Sequence, residues 1–389
     1  VDLQTGAVQW RRASPVLDTL DPEVAAPIRG LVAQVGDIEA QIAELRRRHS
    51  AQLRDFRAGA AGVTQADLDA LSAQEGSLQR TLDALAPYRT PDTHDDVGYA
   101  SPTPVTDGQA VWVAFGTGVV ARFGLDGTRA WSRWLGPGQP AKHGYSGVDA
   151  ASPVLAGGTL VVPYRNLTGL DPATGALRWT GPAYPHYGTP ATMPVGGRTL
   201  VFTPSGEAVD AASGAVLARG LGDVYYTSPI VDGDRVYYVG TNAAFNSNVP
   251  NRARAWRVSA ADGAVTAEPL WDVEITTRDR IYSVPVLDGQ RIYVVTRNKQ
   301  LVVIDQATGA TISQSTVSER YGEAWAPAVL AGGRLFASAV TGTIYELSPA
   351  PPFQVIREHA VPGNAATPWF QGRMVLWRSR DALVRYGAP

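Results

Sequence analysis

The chain has 389 residues, no cysteine, 18% charged residues and a formal net charge of −2, with 40 Gly, 28 Pro, 10 Trp and 15 Tyr. Without a thiol there can be no disulfide, thiolate metal centre or cysteine nucleophile. Near-neutral charge gives no electrostatic basis for binding nucleic acid, and no apolar run approaches the roughly 20 residues of a membrane span. Abundant Gly, Pro and aromatic residues suit many short strands joined by tight turns. The first residue is Val1, with neither Met nor a signal peptide, which reads as a mature or trimmed start.

The first segment, residues 1–20, opens with VDLQTGAVQW, in which Asp2, Thr5, Gly6 and Trp10 stand in the order D-x-x-T-G-x-x-x-W. The same phrase returns at Asp171, Thr174, Gly175 and Trp179, and its turn again at Asp305, Thr308 and Gly309. Asp and Thr side chains can close such a turn by hydrogen bonding to the backbone, while Gly supplies positive φ. The phrase is a strand–turn–strand whose Trp packs from the outer strand, so Trp10, Trp131, Trp179 and Trp271 are expected in outer strands, buried between neighbouring sheets.

Residues 21–90 break the strand pattern. Leu31, Val35, Ile38, Ile42, Leu45 and His49 form one heptad seam, and Leu68, Leu71, Glu75, Leu78, Leu82 and Leu85 form a second. AGAAGVT separates the two, and Thr64 with Asp67 resembles a capping box. The spacing predicts an antiparallel helical hairpin of coiled-coil type, the first arm longer. It is either a solvated decoration or a lid or docking arm.

From residue 91 to 389 a second phrase recurs seven times: a proline, a few apolar residues, a Gly turn and an alternating strand. Its anchor prolines are 102, 153, 190, 229, 285, 327 and 368, the ~40–45-residue period of four-stranded propeller blades. Each copy is followed by a third strand and often by the D-x-x-T-G turn, although Ala218 and Ser313 replace the expected Trp.

Together the two phrases resemble the repeat of the PQQ-like β-propeller family, which includes quinoprotein dehydrogenases and BamB-like proteins. The stretch 94–131 is most similar to the family's non-enzymatic bacterial members. The resemblance implies an all-β propeller of seven or eight blades. Residues 1–20 either close the last blade or belong to an eighth. It also implies a periplasmic or otherwise extracytoplasmic protein that binds another protein or an envelope component, without nucleic acid. The alternatives are a PQQ- and Ca²⁺-dependent dehydrogenase and a glycan-binding or glycan-processing module. No set of residues matches the family's calcium ligands, and G-x-S-x-G, H-E-x-x-H and P-loop patterns are absent. The expectation is therefore a binding scaffold with no catalytic residue and no cofactor.

In a propeller, the segments preceding each inner strand gather around one mouth of the central channel. His94, Asp96, His143, His186, Tyr226, Arg280, Arg320 and Glu323 all fall in such segments and form the candidate ligand site. Imidazoles and carboxylates from different blades could share a cation, and the arginines could hold an anionic group. The opposing expectation is that each side chain is satisfied within its own blade. The aspartates of the repeated phrase read as turn residues, and His49 and His359 as structural or solvated.

Overall fold

A computed structural model describes residues 1–2, 5–60, 62–89, 100–136, 151–184, 186–240, 249–261, 263–275, 279–363, 366–379 and 382–387. Among them, seven antiparallel sheets follow one another along the chain, at 105–134, 154–183, 191–218, 230–274, 286–316, 329–360 and 369–386. In each, strands adjacent in sequence pair directly; the first six sheets have four strands and the seventh has three. This is a seven-bladed β-propeller, and the sheets are numbered here as blades 1 to 7.

The repeated phrase forms the turn between third and fourth strands. Asp171 Oδ1 accepts hydrogen bonds from the backbone N–H groups of Ala173 and Thr174 at 2.9 Å and from the Thr174 hydroxyl at 3.0 Å. Gly175 follows at φ 73°. Asp305 and Thr308, and also Asp2 and Thr5, make the corresponding contacts. Each Trp then docks on the next blade's turn. The Trp179 indole N–H donates to Ala211 O at 3.0 Å, and its ring lies where a Cβ on Gly214 would stand, 2.7 Å from ring carbons. Trp131 docks likewise on Gly175, and Trp271 on Gly309. These three lie in fourth strands as expected; Trp179 is buried, Trp131 and Trp271 partly so.

Strand alternation serves two interfaces at once. In blade 4, Val236 and Tyr238 pack toward blade 3 while Tyr237 and Val239 pack toward blade 5. In blade 5, Ile292 and Val294 face back and Tyr293 and Val295 face forward. Successive side chains of a strand point to opposite faces, so a sheet covered on both sides needs an unbroken apolar run. Each large side chain buried this way contributes about 1.5–3 kcal/mol. The end blades are looser: Val111 and Val113 of blade 1 and Met374, Val375 and Leu376 of blade 7 are half-buried.

Residues 8–13, expected as an outer strand closing the ring, form no strand, and among the described residues blade 7 keeps its third strand as an edge. Trp10 still makes the docking contact of the repeat. Its N–H donates to Leu125 O at 2.9 Å, and its ring fills the space above Gly127 of blade 1.

The insertion is two helices, α1 (Pro22–Arg57) and α2 (Gln65–Ala84). Val35, Ile38, Ile42 and Leu45 of α1 and Leu68, Leu71 and Leu82 of α2 are buried, matching the two seams. Thr64 and Asp67 form the capping box, each accepting the other's backbone N–H. Ion pairs Arg46–Glu75 at 2.7 Å and Arg89–Glu39 at 3.0 Å tie the hairpin laterally. At its base, Val16, Leu17, Ile28, Val32 and Tyr88 share an apolar crevice with Thr117 and Trp134 of blade 1. Thr117 lies in the turn between the second and third strands, so the hairpin stands on the face where the blades' linkers gather.

Candidate functional site

Four consecutive linkers, those leading into blades 3 to 6, each place aromatic residues beside the axial strands. Tyr187, Tyr226 and Tyr282 occupy the same place, three residues before anchor prolines 190, 229 and 285; Trp325 stands two before Pro327. The proline directs the chain into the innermost strand, so these rings meet near the channel. Ring centroids are 5.6 Å apart for Tyr187–Tyr226, 4.6 Å for Tyr226–Tyr282 and 6.4 Å for Tyr282–Trp325. Tyr225 fills the flank, 5.5 Å from Tyr187 and 5.0 Å from Tyr226. Interplanar angles of 77° and 88° at the last two steps are edge-to-face packing, which the aromatic quadrupole favours. All five rings are half-buried.

The polar groups are set by the same loops. Arg280 donates to the Tyr282 hydroxyl at 3.2 Å. Trp325 donates its N–H to Glu323 Oε2 at 2.7 Å. Arg297 lies 3.7 Å from both Asp279 and Glu323, and its backbone joins the linkers of blades 5 and 6 by accepting from Ala324 N–H and donating to Arg280 O. Lys299, buried at φ 61°, donates to Gly322 O; burial holds its ammonium below the usual lysine range. Burial first, and then Tyr282, pushes the Tyr226 hydroxyl well above the usual tyrosine range; burial alone raises Tyr225. Both hydroxyls are donors at neutral pH.

The expected site residues divide into three groups. His94, Asp96 and His143 lie outside the described residues. His186, Tyr226, Arg280 and Glu323 join the aromatic row. His186 is buried with Nε2 3.1 Å from Asp223 Oδ1 and its ring 5.7 Å from Tyr225. Arg320 turns away to pair with Glu358 on the outer strand of blade 6. His49 contacts Ser72, and His359 pairs with Glu346. Among the described residues, no three His, Cys, Asp or Glu side chains converge as a metal centre. Tyr187, Tyr225, Tyr282 and Trp325 were not singled out from sequence, although a Tyr three residues before each of Pro190, Pro229 and Pro285 was the available signal.

What the arrangement offers chemically is a ridged aromatic wall with hydroxyl donors and a near balance of fixed charges, a surface for contact and hydrogen bonding. No helix of the described residues is long and apolar enough to cross a membrane.

A family model described as outer membrane protein assembly factor BamB matches residues 1–268 and 266–351. No curated protein matches the chain. Among solved structures, BamB from Moraxella catarrhalis is similar over 73% of this chain and 81% of that one, at 14% identity and a TM-score of 0.55. The computationally designed protein Ika8 aligns over 76% of this chain and 97% of that one, at 12% identity and a TM-score of 0.45.

Proposed function

The chain belongs to the BamB family of PQQ-like propellers, and we propose that it is a non-catalytic protein-binding scaffold acting outside the cytoplasm. Its partner is a protein of the cell envelope, in keeping with the assembly role in the family's name. The observation that carries this reading is the aromatic row of Tyr187, Tyr226, Tyr282 and Trp325 across four successive linkers. Aromatic residues give large contact area at low entropic cost and dominate protein interfaces. The helical hairpin, packed as a short antiparallel coiled coil, stands beside the same face and extends it. Trp10 anchors the segment 1–20 on blade 1.

The rival is a PQQ- and Ca²⁺-dependent dehydrogenase. Such chemistry needs a calcium cage of hard oxygen ligands and a carboxylate base beside a stacked quinone. At the mouth, Glu323 is engaged by Trp325 and Arg297, and His186 by Asp223. Native mass spectrometry of the chain purified from its own host tests the choice. The expected spectrum is the chain alone or bound to polypeptide, with no dye reduction when PQQ, Ca²⁺ and an alcohol are supplied. A stoichiometric PQQ–calcium adduct with saturable dye reduction would overturn the reading.

A further inference from the structure

We propose that the cleft between blades 1 and 2, together with the apolar crevice at the base of the helical hairpin, docks an acidic segment of the partner protein, one that carries Asp or Glu beside a bulky apolar side chain. This rests on the reading of the chain as a protein-binding scaffold and adds a surface, and a partner chemistry, apart from the aromatic row.

The cleft has a volume of about 380 Å³ and is lined by Arg133 and Trp134 of blade 1 and by Arg165, Asn166 and Thr180 of blade 2. Among the described residues, two guanidinium groups line it and no carboxylate does. Arg133 is half-buried; its Nη1 donates to Gly175 O at 3.2 Å, and it pairs with no acid among the described residues. Its Nε–H and second amino group are therefore left for a ligand, and a carboxylate fits that fork in two-point fashion. Arg165 brings the second charge from a costly position. In the turn between second and third strands its carbonyl accepts the Tyr184 N–H, as Gly118, Gly206 and Gly342 accept the matching bond in blades 1, 3 and 6. Those three have φ of 84°, 84° and 97°, and Arg165 has 54°, a left-handed backbone that a residue with a Cβ adopts only against strain. Trp134 joins the cleft to the crevice of about 320 Å³ under the hairpin, since it lines both, and its N–H is fixed on Thr117 O at 3.0 Å. An apolar hollow beside unpaired cationic charge is the pattern of a protein contact. A small anion would occupy the cationic half alone, whereas a segment with an acid next to Leu or Phe satisfies both. The fourth strand of blade 1 pairs on one side alone among the described residues, so it can also bond a polypeptide backbone.

The test uses the full chain and labelled peptide pools of about nine residues, roughly 30 Å when extended. In the first pool a Leu-or-Phe pair adjoins an Asp-or-Glu pair, in either order. In one control Asn and Gln replace the acids; in the other Ser replaces the apolar pair. The acidic apolar pool is expected to bind at least about tenfold more tightly than either control. Arg133→Gln, which keeps a donor for Gly175 O, should remove about tenfold of the preference for acid over amide. Arg133→Glu should invert it, so that a pool with Lys in place of the acids binds better than the acidic one, a reversal that a folding defect does not produce. Trp369→Ala, an exposed site on blade 7, leaves binding unchanged. Hydrogen exchange on the unmutated chain should slow at 131–135 and 165–168 when the acidic apolar pool is added. Equal binding of the acid and amide pools, an unchanged preference in Arg133→Gln, or no added protection at those segments overturns the proposal. Retention on phosphatidylglycerol vesicles without any preference among the peptides overturns it in favour of an anionic lipid. If a protein cross-links to the mouth in the host while the pools show no preference for acid, the scaffold reading stands and the acidic assignment falls.

Discussion

Gly214→Ala isolates the contact that locks one blade to the next. Gly214 has φ +75°, and a Cβ there would stand 2.7 Å from Trp179 ring carbons. Two costs follow: about 1–2 kcal/mol for a left-handed alanine and about 1–3 kcal/mol for displacing a packed indole. Gly220→Ala is the control, since its φ is +76° and a Cβ there meets nothing within 4 Å. It should carry the backbone cost alone. Trp179→Ala removes a buried indole and leaves Ala211 O without its donor, for about 3–5 kcal/mol. In the double variant the added methyl enters vacated space, so the cost of Gly214→Ala should fall to that of Gly220→Ala. Urea unfolding followed by tryptophan fluorescence reads all five proteins. If Gly214→Ala costs no more than Gly220→Ala, or adds its full cost to Trp179→Ala, the indole-on-glycine contact is not what couples blades 2 and 3.

Other perturbations test separate parts of the molecule. Hydrogen bonding from Arg178, then Thr174, holds the Asp171 carboxyl down to about 2. A depressed carboxylate stabilises the fold above its unfolded pKa of ~3.9 and loses that effect as pH falls toward 2. The urea-midpoint difference between the unmutated chain and Asp171→Asn should therefore shrink between about pH 5 and 2; a constant difference would contradict it. Thr64→Ala removes the hairpin's capping box and should cost about 1 kcal/mol, seen as earlier loss of helical circular dichroism. Trp10→Ala should destabilise less than Trp179→Ala in the same denaturation assay, because Trp10 is only partly buried; an equal loss would show that residues 1–20 are packed as tightly as an internal blade.

The propeller was legible because two local rules recur along the chain. D-x-x-T-G fixes a turn through Asp171 and Thr174 without help from distant residues, and the anchor prolines mark the inner strands. The hairpin was legible from its heptad seams and from Thr64 and Asp67. The fate of residues 8–13 was not, since a strand needs an edge to pair with and only three-dimensional placement decides that. At the mouth, sequence named residues of the linkers but, Tyr226 apart, did not single out the tyrosines that the fold brings together there. Histidines and carboxylates drew attention as individually reactive groups, while Arg320 and His186 pair with Glu358 and Asp223, partners 38 and 37 positions along the chain. Such pairings are invisible in sequence. The tyrosines, unremarkable one by one, become a surface because the propeller brings successive repeats side by side.

Site-specific photo-crosslinking in the host envelope tests the binding-face claim most directly. A photoreactive residue replaces Tyr282 at the mouth in one variant and Thr308, on the opposite face, in another. The account predicts a discrete protein adduct from position 282, lost on adding Tyr226→Ala, and none from position 308. Adducts of equal yield from both faces, or from position 308 alone, would contradict it.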